Sequence, residues 1–300
     1  MSSKLKGYIK SYLMLLPNLF LFLVITVYPV IWALRYMFYE YDGIREPRFV
    51  GLDNFVRVLT RDHLFWESAL NTLVYGLGIL LFALPLGFIV AYLLNKTKKI
   101  YGGLQAIIFS PTIMSSAVMS LVFFLLFNVF SGEINRILMN AGIIQTPINW
   151  LGVDLAMTTV IIVAVWGILG NYMVYFLAGL QQIDVSVYES AEIDGITPFK
   201  RITHITIPLL GPVLKMILMI AIIFAFQNFE SIMVLTGGGP VGRTNVMFLY
   251  LFSLYFPSSD MAGFTPQFGY GAAVSVVAAT LIGIVTVIFL KISKKLDEIY

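Results

Sequence analysis

Six long apolar stretches constrain the fold of this chain more than any other feature. Each is long enough for a helix that crosses the hydrocarbon core of a bilayer, which takes about 20 residues. In lipid, only helices and closed barrels satisfy every backbone polar group, and continuous apolar runs of this length favour helices. We therefore predict an all-α integral membrane protein with six transmembrane helices. The stretches are Tyr12 to Phe38, Ala69 to Leu94, Leu104 to Phe130, Leu155 to Leu180, Leu209 to Leu235 and Phe268 to Leu290.

The composition supports this class. Charged residues make up only 12% of the chain, whereas soluble domains contain about 25%, so too few charges are present to cover a water-soluble surface. The sequence has no cysteine, which excludes disulfides, thiol nucleophiles and cysteine-based metal sites. His63 and His204 are far apart in sequence, and a metal site needs convergent ligands. We therefore expect no metal site.

Lysine and arginine predict the orientation in the membrane, because cytoplasmic loops carry an excess of them. With the N-terminus inside, every lysine and Arg201 fall on the cytoplasmic side, and the other arginines lie in or near the outer loops. We predict a multi-pass protein of the cytoplasmic (inner) membrane with both termini in the cytoplasm. The lysines before the first stretch resemble the start of a signal peptide, but that stretch is too long and lacks a cleavage site.

The inner segment between the fourth and fifth stretches, Gln181 to Pro208, predicts two short helices. Ser186 followed by Glu189 forms a capping box that would start the first helix. Gly195 would end it, as glycine commonly does after a helix. Acidic residues outnumber basic ones in this segment, which argues against a simple lipid anchor and favours a soluble partner.

The second helix of this segment is predicted to begin with Thr197 as its N-cap and Pro198 at its first position. An apolar stripe begins at Phe199, and Pro208 is predicted to close the helix before the fifth span. The segment is thus predicted to be a folded helix-turn-helix.

Several short motifs resemble those of known membrane proteins. Glu189-Ser-Ala-Glu-Ile-Asp-Gly195 resembles the EAA motif of binding-protein-dependent ABC importer permeases, although Asp184 stands where that family commonly has proline. Other motifs resemble the carbohydrate branch of the family and, within it, the F-type subunit. These are Gly51-Leu-Asp-Asn-Phe55, Asn149-Trp-Leu151, Ala178-Gly-Leu180, Ile205-Thr-Ile-Pro-Leu209, Leu235-Thr-Gly-Gly-Gly-Pro240 and Phe268-Gly-Tyr-Gly-Ala-Ala273.

The resemblance implies a type-I ABC importer permease fold with a transmembrane core over 69–290. Residues 1–68 would form the N-terminal tail, first helix and outer loop, and 291–300 a cytoplasmic tail. It also implies that the inner segment is a coupling helix that docks on ATP-hydrolysing subunits; in the alternative, Glu189 only caps its helix. The residues expected to couple the chain to the ATPase are Tyr188, Glu189, Ser190, Ala191, Asp194, Gly195 and Phe199.

The implied partners are a G-type permease subunit, two ATP-binding subunits, an extracytoplasmic solute-binding protein, a carbohydrate substrate and the lipid bilayer, with no nucleic acid. No cofactor is expected on this chain, since ATP and Mg would bind the partner subunits. Gly237 to Thr244 nearly spells a P-loop, but it follows a predicted span on the outer side, whereas a P-loop joins a strand to a helix. No catalytic arrangement stands out, so we expect no enzyme activity of the chain itself.

Polar residues inside the apolar stretches are candidates for the solute path, because polar groups are costly in lipid. Amides, a carboxylate and aromatic rings suit a carbohydrate. In the alternative interpretation, Asn171 and the tyrosines form hydrogen bonds between helices, and Glu230 is solvated near the outer interface or paired with an arginine. The candidates are Trp166, Asn171, Tyr172, Gln227, Asn228 and Glu230.

The function favoured by the sequence is that of a permease subunit translocating a sugar or oligosaccharide, driven by ATP hydrolysis on separate subunits. Three alternatives stay open. The solute could be a glycerol phosphodiester or a polyol. The chain could be an autonomous secondary transporter, although such proteins usually show internal repeats or intramembrane coupling charges. It could also be a membrane scaffold without transport activity.

Overall fold

The computed structural model of the protein describes residues 3–95, 99–257 and 265–294. Within these ranges the regular secondary structure is helical, apart from one small two-stranded sheet. Lys96, Lys98 and Lys295, which entered the orientation argument, lie outside the described residues, as does most of the tail at 291–300.

The first span is a nearly continuous helix with no buried face. Helix α1 (Ser3–Leu21) passes through a π-helical turn (Phe22–Val27) into α2 (Tyr28–Leu34) and ends in a 3-10 turn (Arg35–Phe38). Its most apolar part is 0% buried. Such a surface is stable only in lipid or against another protein.

One compact unit contains the chain up to His63 together with Leu251–Thr280. Strand β1 (Tyr39–Glu40) pairs antiparallel with β2 (Arg48–Phe49), and helix α3 (Asp53–Thr60) follows. The Asn54 amide donates hydrogen bonds of 3.0 Å to the carbonyls of Met37 and Tyr39. These bonds tie α3 to the end of the first span.

The other compact unit runs from Leu64 to Tyr250 and also includes the end of the last helix. Its continuous spans are α4 (His63–Leu94) and α8 (Ala156–Leu180). They approach closely at Gly87, where a Cβ atom would lie only 2.8 Å from the Cβ of Tyr172. Small residues let membrane helices pack in this way.

The remaining helices of the described chain are α5 (Lys99–Phe109), α6 (Ser116–Leu126), α7 (Glu133–Asn140), α9 (Val185–Ile193), α10 (Pro198–Arg201), α11 (Ile207–Leu209), α12 (Gly211–Gln227), α13 (Glu230–Leu235), α14 (Met247–Tyr255) and α15 (Phe268–Ser293).

The third predicted span is broken. Helix α5 continues into a 3-10 turn at Ser110–Ile113, and α6 then departs at 95°. Pro111 lies at the start of that turn, where its missing N–H prevents a regular α-helix. The sequence predicted one span from Leu104 to Phe130, whereas the structure bends sharply within it.

The fifth predicted span is bent as well. The segment Pro198–Leu209 meets α12 at 72°, and a second break separates α12 from α13. Four helices of the described chain are long and apolar enough to cross a membrane, and the number reaches six if each bent pair is one span. The prediction of an all-α membrane fold is confirmed.

The first bend of the fifth span rests directly on the fourth. A Cβ atom on Gly179 would lie 2.9 Å from side-chain atoms of both Leu210 and Val213. Leu210 is itself 2% exposed. The inner segment therefore leaves α8 and returns to α12 at one packed contact.

Candidate coupling loop and solute path

Helix α9, the first helix of the inner segment, is capped by a different residue from the one predicted. The Asp184 carboxylate accepts the backbone N–H of Ser186 at 2.8 Å, and Asp184 has the extended backbone of an N-cap. This backbone hydrogen bond, together with a second from the Ser186 side chain, lowers the pKa of Asp184. The predicted capping box at Ser186 is wrong, because the helix has already begun at Val185.

Gly195 ends α9 as predicted. Its φ of +70° is in the left-handed region, and a Cβ atom there would meet nothing within 4 Å. The Gly195 N–H bonds the Glu192 carbonyl and the Ile196 N–H bonds the Ala191 carbonyl, each at 3.1 Å. This pair of bonds is a Schellman motif. Since a Cβ atom at Gly195 meets no atom of the described chain, the cost of a side chain within the loop comes from the backbone conformation.

The second helix of the segment starts at Pro198 as predicted, but Thr197 makes no side-chain capping bond. A π-helical turn (Ile202–Thr206) separates α10 from α11, and the Ile207 N–H bonds back to the Ile202 carbonyl. Pro208 lies within α11 instead of closing the helix. In the π-helical turn immediately before Pro208, backbone hydrogen bonds span five residues instead of four. This shift accommodates proline, which has no N–H to donate.

The two helices of the segment are joined by side chains that face inward. Thr206 is 0% exposed, and its hydroxyl lies 3.3 Å from the Tyr188 hydroxyl and bonds the Arg201 carbonyl. The Arg201 guanidinium lies 5.9 Å from the centre of the Tyr188 ring. Ala191 is 4% exposed. Of the predicted coupling residues, Tyr188 and Ala191 therefore hold the loop together.

The other predicted coupling residues form an outward face. Phe199 is 75% exposed, and the rest of this set are exposed as well, namely Glu189, Ser190, Asp194 and Gly195. Two apolar residues that the sequence prediction missed lie among them, Val185 at 66% and Ile193 at 87% exposed. They could have been found as the apolar residues of a short, otherwise polar helix. Such a patch beside carboxylates suits a protein partner.

Of the predicted solute path, Tyr172 lies inside the bundle, and Asn228 is half-buried at the end of α12. Tyr172 on α8 is 0% exposed and packs against Gly87. Asn228 has an extended backbone that ends α12, and its amide N–H donates to the Tyr75 hydroxyl at 2.9 Å. The Ser231 hydroxyl donates to the Asn228 amide oxygen at 3.2 Å. Tyr75 was missed by the sequence prediction, although a tyrosine within an apolar span is itself a signal.

The remaining path candidates are more accessible. Trp166 is 40% exposed and lies edge-on to Phe123, with the ring centres 5.2 Å apart. Asn171 is half-buried on the same helix, and Gln227 and Glu230 are exposed on either side of the α12–α13 break. Within the described chain, the structure thus brings Gln227, Asn228 and Glu230 together.

The glycine-rich segment Gly237 to Thr244 is a closed turn. It follows helix α13, whereas a P-loop follows a strand. Thr244 is 0% exposed, and its hydroxyl lies 2.7 Å from the Thr236 hydroxyl and bonds the Gly239 carbonyl. Asn71 on α4 also binds this turn through the Gly242 carbonyl. These contacts give the glycines a structural role.

A cavity of about 1290 Å³ lies within the unit that contains α3. Arg57 contacts the face of Tyr270 at 3.7 Å and donates to Gln267 at 2.9 Å. Arg48 pairs with Glu40. The charged residues that line the cavity are Glu40, Asp42, Arg45, Glu46, Arg48, Asp53, Arg57, Arg61 and Asp62.

Comparison with known proteins places this geometry in a family. Residues 83–296 match the family described as binding-protein-dependent transport system inner membrane component. The trehalose/maltose transport system permease protein MalF of Thermococcus litoralis is 35% identical over 95% of this chain and 93% of its own length. The lactose transport system permease protein LacF of Rhizobium radiobacter is 33% identical over 95% of this chain and 94% of its own.

Solved structures share the fold. A crystal structure of a bacterial ABC transporter involved in importing the acidic polysaccharide alginate contains a chain that superposes with a TM-score of 0.81 at 23% identity. The match covers 97% of both chains. The type-I importer permease fold predicted from the sequence is confirmed.

Proposed function

The chain belongs to the family of binding-protein-dependent transport system inner membrane components, and from that premise we propose that it translocates a sugar or oligosaccharide as one subunit of an ABC importer. The observation that carries the proposal is similarity along nearly the whole chain to sugar permeases. Besides the two described above, the arabinooligosaccharide permease AraP of Bacillus subtilis is 33% identical over 94% of this chain.

ATP hydrolysis belongs, in this proposal, to two separate ATP-binding subunits that also hold Mg. The outward face of the inner segment, with Val185, Ile193 and Phe199 beside Glu189, supplies a mixed apolar and acidic contact for them. A G-type permease subunit completes the pore. A solute-binding protein delivers the sugar from the outside, and the charged outer cavity offers a surface for its approach.

We expect the purified complex to hydrolyse ATP faster when its binding protein carries the correct solute. The test reconstitutes the chain with its partner subunits in liposomes and compares maltose, lactose, longer oligosaccharides, a polyol and a glycerol phosphodiester. Stimulation by a sugar or oligosaccharide supports the proposal. Stimulation by the polyol or the phosphodiester alone would show that the solute is not a sugar. Transport without any ATPase partner would show that the chain is a secondary transporter.

The orientation is tested with single cysteines, since the chain has none of its own. Arg243 in the glycine-rich turn and Lys200 in α10 are both exposed. We expect an impermeant thiol reagent on intact cells, with any outer wall made permeable, to modify Arg243→Cys and to spare Lys200→Cys. Lysed cells provide the control in which both react. Thr244 is unsuitable for this labelling, because it is fully buried. The reverse pattern would invert the orientation.

A further inference from the structure

The break between α12 and α13 is held by a side chain from another span. Asn228 is the first non-helical residue after α12, with φ of −77° and ψ of 110°. Its amide N–H reaches the hydroxyl of Tyr75 on α4, and its amide oxygen accepts from Ser231 on α13. Asn228 is thereby linked to a separate span and to the helix that follows the break.

This break lies within the predicted fifth span, Leu209 to Leu235. Gln227 is about 24 Å along the helix axis from Gly211, at about 1.5 Å per residue, and the hydrocarbon core is about 30 Å thick. Non-helical backbone at this depth is tolerated only where it is buried in protein or lines a watery cavity. The break is therefore expected to be buried in protein or to line a polar space.

The two sides of the break differ accordingly. Tyr75 is 0% and Ser231 3% exposed, and α13 packs on α6 and α8, so this side is sealed within the chain. Gln227 and Glu230 flank Asn228 and are exposed. Glu230 makes no ion pair with any residue in the described ranges. Placing the Glu230 carboxylate and the Gln227 amide against lipid would be costly. Both side chains therefore belong on the side of the break that faces a polar space.

We infer that Tyr75 is a positioning residue for the solute path: its hydroxyl fixes Asn228, and through Asn228 it sets the direction in which Gln227 and Glu230 face the solute. The inference rests on the proposed function, since it assumes that these two residues line the route of the sugar. Asn228, in this arrangement, anchors the break and does not itself contact the solute.

The test is a double-mutant cycle on sugar uptake by the reconstituted complex, in which Tyr75→Phe removes only the hydroxyl. We expect Tyr75→Phe to lower uptake about three- to tenfold, the range of one hydrogen bond, and Gln227→Ala to lower it by a similar or larger factor. The double variant should be no slower than the slower single variant, because both changes disable the same contact. The matched control is Tyr255→Phe, which removes the hydroxyl of a half-buried tyrosine that lies 3.2 Å from the Ser275 hydroxyl.

The outcomes separate this inference from the proposed function. If the effects of Tyr75→Phe and Gln227→Ala on uptake multiply in the double variant, Tyr75 acts only on general packing. The same holds if Tyr255→Phe lowers uptake as much as Tyr75→Phe. Either result overturns the inference and leaves the assignment of the sugar path in place. If Gln227→Ala and a Glu230→Gln variant both transport at the parent rate, the path assignment fails and the inference fails with it.

A second readout does not depend on transport. The thiol introduced by Gln227→Cys should react with a water-soluble thiol reagent, and adding Tyr75→Phe should change its rate at least about threefold if Tyr75 sets its direction. An unchanged rate would overturn the inference.

If Tyr75→Phe fails to assemble, Asn228→Ser takes its place in both measurements with the same expected outcomes, because it shortens the other partner of the same bond.

Discussion

Glu189→Lys is expected to abolish sugar uptake while the chain remains inserted in the membrane. Glu189 lies on the exposed face of α9, where it can make a charge-assisted contact with a protein partner. Replacing one partner of such a contact with the opposite charge should lower uptake about thirtyfold or more. The measurements are uptake into liposomes, sugar-stimulated ATP hydrolysis, and the amount of ATPase subunit that copurifies.

The matched control is Lys200→Glu, which also reverses an exposed charge in the inner segment but lies outside the predicted coupling set. We expect it to retain most of the uptake. If Glu189→Lys binds the ATPase normally and transports at the parent rate, the coupling role of Glu189 fails.

Gly195 tests the same loop through its backbone. At a φ of +70°, valine should strain the turn by about 1 kcal/mol or more and redirect the second helix relative to α9. We expect Gly195→Val to lower uptake roughly tenfold, in keeping with that cost. Gly195→Asn is the control, because asparagine tolerates this conformation. Since a Cβ atom meets nothing within 4 Å, equal loss in both variants would point to a surface contact instead of the turn.

The second large effect is expected at the flanks of the break in the fifth span. Combining Gln227→Ala with Glu230→Ala removes both exposed polar groups, and we expect uptake to fall at least about tenfold, since hydrogen bonds to charged groups contribute about 1.5–3 kcal/mol. Assembly and basal ATP hydrolysis should stay near the parent level, because neither side chain is buried.

Thr280→Ala is the control for polar truncation within a span, since the Thr280 hydroxyl is exposed but bonds the Val276 carbonyl of its own helix. Asn228→Ala should behave differently from both. It removes the amide that donates to the buried Tyr75 hydroxyl, so we expect less assembled complex. Parent-level uptake in the combined Gln227 and Glu230 variant would move the solute path elsewhere.

The sequence predicted the membrane spans well, because a segment in contact with lipid must be long, apolar and helical to satisfy its backbone hydrogen bonds. It also predicted the end of α9, since glycine at that position has a local physical cause. The start of α9 was less secure. Both Asp184 and Ser186 have capping chemistry, and only the backbone conformation shows that Asp184 caps the helix.

The contacts that define the candidate path could not be predicted. Tyr75 and Asn228 are separated by 153 positions in sequence, and no local pattern pairs them. The angle at Pro111 was equally out of reach, since a proline signals a break in a helix but does not fix its direction. Tertiary packing determines both features.

The contact of Gly179 with Leu210 and Val213 closes the inner segment into a loop at its base. Its two ends meet where α8 and α12 touch, and Thr206 with Tyr188 stiffens the part between them. A displacement of this closed loop would therefore move the adjoining ends of α8 and α12 together. In the proposed importer, an ATPase subunit that moves the inner segment would thus act on the fourth and fifth spans at once.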